Sequence, residues 1–443
     1  MHLPALLAFH NPWWVTGRVP ESLALPFRRP VWERILRYLH LNRVIVIKGP
    51  RRTGKSTLLF QLMEHLLQSG VPAAHLLYLP FDDPELKHPF SEILREFEKQ
   101  LGRELSEGPP VYCFFDEIQH LENWSIQLKK YLDKKWPLKF ILSGSSASLI
   151  RKGAESLVGR TVEEILLPFS FHEFALFHME EAHRKLLREC REGFDFPYRN
   201  IPDRLHQMER KLEILFQRYL STGGFPELFG IGDPLLRRKL LQEDILEKVI
   251  YRDLVLQYGI KKPEVLEKLF LYLVHQSADI FNVSSLANSL KVSREVITTY
   301  MRYLQEAYLI MESRRFAPTV ESRVRAAPKI HIIDPGILEV FAQSSMGKRV
   351  ESAVARHLFH HQPEYYRNRQ EVDFVVRRGK QLLLMEVKYR EQLRPADLSG
   401  IKAVQARLPH SQGVIITRHQ HFQENGITGI PAHLLLAVLE YTP

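Results

Sequence analysis

The sequence predicts an α/β chain: a parallel sheet with a ligand loop at its edge, then a helix-rich middle, then a second α/β unit. Three observations lead there. Short apolar runs, VIVIK (44–48), LLYLP (76–80), VYCFF (111–115), KFILSG (139–144) and VEEILLP (162–168), are mostly separated by helical stretches, the alternation of a βαβ sheet buried on both faces. The first run passes through a glycine-bounded turn straight into the helical run KSTLLFQLMEHLLQ (55–68). After a charged helical stretch, residues 329–443 return to mixed strand and helix patterns.

The bulk properties bound the answer. A chain of 443 residues fits about three domains. Lys plus Arg total 61 against 51 Asp plus Glu, a net +10. That excess suits an anionic partner such as nucleic acid. Cys113 and Cys190 have neither CxxC nor metal-ligand spacing, so a reducing, cytoplasmic setting is expected. The start, MHLPALLAFHNPWW, lacks a basic segment and is broken by prolines, unlike a signal peptide. No apolar run approaches the ~18 residues a membrane span needs, so no membrane partner is expected.

The turn after the first strand reads Gly49-Pro50-Arg51-Arg52-Thr53-Gly54-Lys55-Ser56, with Thr57 next. It satisfies GxxxxGK[ST] between a strand and a helix. Glycines let backbone N–H groups curl round phosphate, and the helix N-terminus adds partial positive charge. Lys55 is expected on the β- and γ-phosphates and Ser56 on Mg²⁺, so ATP and Mg²⁺ are the expected ligands. Asp116 and Glu117 end the third apolar run, at the sheet edge where open α/β sheets bind ligands. Asp116 is assigned to the Mg²⁺ shell and Glu117 to the attacking water. Ser143, ending the fourth run, either senses the γ-phosphate or caps the next helix. Arg160, in LVGRT, is either a phosphate-contacting arginine, in cis or toward a second copy in a homo-oligomer, or a surface residue.

With GPRRTGKST, LYLPFDDPEL, FFDEIQ, LSGSSASL, LVGRTVEEILLPFSFHEF, YLSTGGFPEL and Tyr251-Arg252-Asp253 in place, most of the chain resembles prokaryotic AAA-type ATPases related to the STAND and origin-recognition ATPases. The resemblance implies a helical lid whose Gly-x-Pro element approaches the nucleotide base. Gly224-Phe225-Pro226 fits it, which puts Pro226 among the nucleotide-binding residues.

In the middle, FNVSSLANSLKVSREVITTYMRYLQEAYLI (281–310) reads as helix, turn, helix and strand, a winged helix-turn-helix pattern. It either faces Arg294, Thr298, Thr299 and Arg302 to DNA or serves only as a packing module. In the last unit the order is α-β-β-β-α-β, with Glu351 on the first helix, Asp373 opening a hairpin strand, and Glu386 and Lys388 on the strand LLLMEVK. Residues i and i+2 of a strand share a face, so Glu386 and Lys388 are expected beside Asp373. The set resembles the PD-(D/E)xK nuclease superfamily. The resemblance implies Asp373 and Glu386 as Mg²⁺ ligands, Glu351 as a further ligand or support, and Lys388 orienting the water. E-x-K alternation is also ordinary ion-pair patterning.

The expected organisation is an ATPase core at 1–175, a helical lid at 176–262, a winged helix at 263–328 and a restriction-endonuclease-like unit at 329–443. The leading expectation is an ATPase whose nucleotide state controls a DNA-bound, metal-dependent nuclease-like module. The alternative is a STAND-like switch whose last unit binds without cutting. A translocase ranks last, since no separate helicase motifs are present.

Overall fold

The computed structural model describes residues 2–144, 157, 159–190, 203–317 and 319–439. The turn signals at Pro197 and Pro202, and the run after Gly144 in LSGSSASL, lie outside them. The chain forms two compact units, Met1–Leu167 and Pro168–Pro443.

In the first unit, β1 (Val44–Lys48), β2 (Leu76–Pro80), β3 (Val111–Asp116), β4 (Leu138–Gly144) and β5 (Thr161–Ile165) pair in parallel in the order β2-β3-β4-β1-β5. Every residue of the neighbouring strands β1 and β4 is buried, which is why neither run alternates with polar residues. Period two still sorts β1: Val44 and Val46 join the layer of Phe97, Trp124 and Leu128, while Ile45 and Ile47 face Leu58, Leu62 and Trp32. The strand order sets β4 between β1 and β3, so Ser143 stands between the loop strand and the Asp116 strand.

In the second unit, helices Val283–Leu290 and Arg294–Glu306 are followed by β6 (Ile310–Ser313) and β7 (Lys329–Ile332), an antiparallel pair. A boundary near 328 would cut this hairpin, so Lys329 belongs to the pair that begins at Ile310. Tyr251-Arg252-Asp253 lie in a twelve-residue π-helical stretch, Glu243–Leu254, a wide winding that side-chain periodicity did not announce.

The last sheet has six strands in the order β12-β13-β11-β10-β9-β8: β8 (Glu364–Arg367), β9 (Glu371–Arg378), β10 (Gln381–Lys388), β11 (Ser411–Thr417), β12 (Phe422–Glu424) and β13 (Ile427–Pro431). β8, β9 and β10 are antiparallel neighbours, and β11 runs parallel to β10. β11, which closes the expected α-β-β-β-α-β order, is followed by β12, β13 and the helix Ala432–Val438. Helix Met346–Leu358 carries Glu351.

Candidate functional site

The turn after β1 is shaped by three unusual backbone angles. Gly49 has φ 148°, Arg52 63° and Gly54 89°. A Cβ on Gly49 would meet the Leu166 carbonyl oxygen at 2.2 Å, so this glycine is required by the chain leaving β5 as well as by the curl. Helix Lys55–Gln68 starts immediately, with no side chain capping its N-terminus and no acidic residue in its first turn. Its leading N–H groups and partial positive charge are left for an anion. Lys55 Nζ donates to the carbonyls of Pro50 (2.8 Å) and Gly49 (3.0 Å). Thr53 Oγ1 donates to the Pro50 carbonyl at 3.0 Å, and the Thr53 carbonyl accepts from Arg29 at 3.0 Å. Arg51, Arg52 and Thr57 are half-buried and Ser56 is exposed at the loop's rim.

Asp116 ends β3 and is buried. Its carboxylate accepts from the hydroxyls of Ser143 and Tyr78 (3.2 Å), from the Glu117 N–H (3.1 Å), and from the Ser56 hydroxyl. Burial and the neighbouring Glu117 charge push its pKa up, against the Ser143 and Ser56 hydrogen bonds and the Lys55 charge. Glu117 behaves oppositely. Burial would raise it, but Lys55, the Gln119 hydrogen bond and Arg51 together hold it below the usual carboxylate range. The two adjacent acids are thus driven apart, one toward proton retention and one toward ionisation. Gln119 donates to Glu117 Oε2, and its own Oε1 is buried with no partner among the described residues. Sequence reading assigned no role to Gln119, Tyr78 or Arg29, although Gln119 lies inside FFDEIQ and Tyr78 inside LYLPFDDPEL.

These residues fit a Mg²⁺-bound triphosphate. The hydroxyl of Ser56 and the carboxylate of Asp116 already share one point, and the lysine stands at the loop mouth, the arrangement phosphate and its cation require.

The structure does not bring Arg160 to this place. Its carbonyl accepts from the Val44 N–H at 2.9 Å, and its guanidinium pairs with Asp133, both side chains nearly half exposed. Val44 starts β1, whereas the loop leaves the other end, five residues on, roughly 16 Å away. Of the two alternatives, the surface residue is the one that the Asp133 ion pair favours. Pro226 opens a short 3₁₀ turn, Pro226–Leu228, in the second unit. The glycines before it have a local cause: a Cβ on Gly223 would meet Asp334 Oδ1 at 2.2 Å, and one on Gly224 the Phe169 carbonyl oxygen at 2.2 Å.

On helix Arg294–Glu306, Ile297, Met301 and Leu304 are buried. Arg294, Thr298 and Arg302 lie exposed and Thr299 is half-buried, with Arg302 loosely paired to Glu306 at 3.8 Å.

In the last sheet, Lys388 Nζ lies 2.6 Å from Glu386 Oε1, the same-face pair that the strand period predicts. Asp373 Oδ2 accepts from the Val387 N–H at 2.9 Å, while Oδ1 lies 2.8 Å from Lys329 Nζ. The same ammonium is 2.8 Å from Glu351 Oε1 and 3.5 Å from Glu371 Oε1. Burial, together with the Asp373 charge, lifts Glu351 to about 8, with Lys329 opposing. Burial lifts Glu386 to about 7, with Lys388 opposing. Among the described residues no group of three or more His, Cys, Asp or Glu is disposed to hold a metal. Of the three residues expected as metal ligands, Glu351 and Asp373 face Lys329 and Glu386 pairs with Lys388. Glu351 and Asp373 do not fit a metal between them, because the Lys329 ammonium stands there.

Residues 41–175 match the family model described as "AAA domain". This segment is an AAA-type P-loop ATPase domain. Two further models, each described as a domain of unknown function, match residues 213–346 and 346–435. An "Uncharacterized protein" of Haemophilus influenzae is 23% identical over 385 residues, 83% of this chain and 88% of that protein. Another, from Methanocaldococcus jannaschii, is 29% identical over 300 residues, 66% of this chain and 61% of its own length. Among solved structures, AMPPCP-bound DnaA from Aquifex aeolicus is 16% identical, with a TM-score of 0.28 over 67% of this chain and 93% of that one. ORC2 of Aeropyrum pernix in its ADP form is 14% identical, with a TM-score of 0.31 over 66% and 91%. Both superpositions are loose, and the AAA domain is identified by its own motif and family match. Among the described residues no helix is long and apolar enough to cross a membrane.

Proposed function

We propose that the chain is an ATP-hydrolysing switch of the AAA/STAND kind, whose second unit engages DNA and does not cut it. The carrying observation is the gathering of Lys55, Ser56, Asp116, Glu117 and Ser143 at one edge of the first sheet. In this reading the loop N–H groups and Lys55 hold the triphosphate, and Ser56 and Asp116 hold Mg²⁺. When bound, Mg²⁺ neutralises charge on the transferred phosphoryl group. Glu117, kept ionised, accepts a proton from the attacking water. Gln119 fixes the Glu117 carboxylate, and Ser143 fixes Asp116.

Nucleotide state then sets what the second unit offers, with Arg294, Thr298, Thr299 and Arg302 as the DNA-facing set. Purified protein is compared without nucleotide, with ADP and with a non-hydrolysable ATP analogue, reading limited proteolysis, hydrodynamic size and DNA affinity. Distinct states and slow phosphate release are expected. Identical behaviour in all three removes the switch.

A second reading, a metal-dependent nuclease, rests on Asp373 beside the Glu386–Lys388 pair and requires the Lys329 ammonium to leave Asp373 and Glu351. It requires DNA or RNA cleavage with Mg²⁺ or Mn²⁺ that Asp373→Ala abolishes.

A further inference from the structure

We infer that the carboxylate cluster of the last sheet is closed by an ammonium of the chain itself, and that Lys329, not a divalent cation, is its resident positive charge. Lys329 Nζ lies within 2.8 Å of both Glu351 and Asp373 and 3.5 Å from Glu371. An ammonium has three donors, and three carboxylates from two elements face it. The lysine side chain is only 2% exposed, so it is a core residue and not a surface arm folded back.

Its backbone cannot readily withdraw. Lys329 begins β7, paired to Ser313 of β6 on one side and bridged to Ile280 on the other. The flanking carbonyls of Pro328 and Ile330 accept from Phe281 (2.8 Å) and Ala278 (2.7 Å). Two residues on, His331 shares the strand face, stacks on Phe374 with centroids 5.0 Å apart, and is fully buried. A divalent cation on the same oxygens would sit against the ammonium in a desolvated place, where like charges repel strongly. Both oxygens of Asp373 are already engaged, Oδ1 with the ammonium and Oδ2 with the Val387 N–H.

The ion cluster also has a structural consequence. It ties the hairpin following helix Arg294–Glu306 to the helix Met346–Leu358 and to β9. The face bearing Arg294 and Arg302 and the last sheet are thereby fastened as one piece. Removing a single partner leaves the others buried and uncompensated.

This inference stands on the second unit alone and is independent of ATP hydrolysis, so its failure and that of the switch are separable. The test uses the full chain carrying Ser56→Ala and Asp116→Asn, to silence the first unit's cation ligands, without nucleotide. Mn²⁺ is titrated in and free ion is read by electron paramagnetic resonance, with and without duplex DNA. With Lys329 present, no stoichiometric Mn²⁺ uptake is expected in either condition. Lys329→Met is expected to take up one Mn²⁺ per chain, and adding Asp373→Asn to lose it again. Asp373-dependent Mn²⁺ uptake by the Lys329 chain, alone or only with DNA, overturns the inference. So does a folded Lys329→Met chain that takes up none. Should that variant fail to fold, the Lys329 chain still decides.

Discussion

Lys55 Nζ donates to the Pro50 carbonyl at 2.8 Å, so the phosphate loop is bridged by the lysine that is to grip the phosphates. Charged hydrogen bonds of this kind contribute about 1.5–3 kcal/mol, and each 1.4 kcal/mol is roughly tenfold in affinity. Lys55→Ala is therefore expected to weaken ATP binding about 10–100-fold by calorimetry. Lys55→Arg is not expected to rescue it, because a planar guanidinium fork does not replace a compact ammonium. Affinity within twofold of wild type in Lys55→Ala would show that the loop is not the phosphate site.

Asp116 and Glu117 are adjacent, yet their environments drive their protonation in opposite directions. Glu117→Gln keeps the shape and removes the base. It is expected to lower ATP turnover by about 10²-fold or more while leaving ATP affinity within a few-fold. Gln119→Ala, which frees the Glu117 carboxylate, is expected to reduce turnover by a smaller factor. Unchanged phosphate release in Glu117→Gln would remove Glu117 from the chemistry.

Gly49 and Gly70 separate crowding from backbone strain. Both have positive φ, but a Cβ at Gly49 strikes the Leu166 carbonyl at 2.2 Å while one at Gly70 meets nothing within 4 Å. Gly70→Ala should cost only the left-handed penalty, about 1 kcal/mol. Gly49→Ala should cost about 3 kcal/mol or more, since strand ends must part. Thermal denaturation of the two variants checks the difference; equal losses would mean that the Leu166 carbonyl does not crowd Gly49.

Arg294 and Arg302 occupy the exposed face of helix Arg294–Glu306. If that face meets DNA phosphates, each arginine displaces about one counterion. Replacing both with alanine is expected to weaken binding to duplexes of any sequence and to flatten the plot of log K against log salt by about 1 per arginine. An unchanged slope would favour the helix as a packing module.

What the sequence made legible follows from local rules. β1 to β4 were readable because strands buried on both faces become nearly uninterrupted apolar runs, and the loop because phosphate fixes its residue spacing. Arg160 stayed open between phosphate and surface because a lone arginine before a strand does not show which end of the sheet it stands at. In a parallel sheet, a residue just before one strand lies at the edge opposite the loop that leaves another. Lys329 was invisible for a different reason: its partner Asp373 is 44 residues away, and a lone lysine beside an apolar run carries no sign of which acids it will meet. Glu386 and Lys388, two apart on one strand, were placed together correctly, but spacing could not tell an ion pair from a metal site.

Asp334 supplies the pH test. It is buried, and its two carboxylate oxygens accept separately from the N–H groups of Gly224 (2.7 Å) and Gly336 (2.9 Å). Burial outweighs those hydrogen bonds and raises its pKa from 3.8 to about 6. Between those values the folded chain holds a proton that the unfolded chain has released. Its contribution is therefore fully present below about pH 4 and is lost as pH rises through 6. A displacement of this size corresponds to ~3 kcal/mol. Asp334→Asn cannot titrate, and its amide nitrogen faces an N–H group, so it carries a pH-independent cost. Relative to that variant, wild type should lose ~3 kcal/mol between pH 4 and pH 7 in urea denaturation. The asparagine chain should thus be penalised most in acid and least at neutral pH. A difference between the two chains that stays constant across this range would show that Asp334 is ionised throughout, with its two glycine N–H donors outweighing its burial.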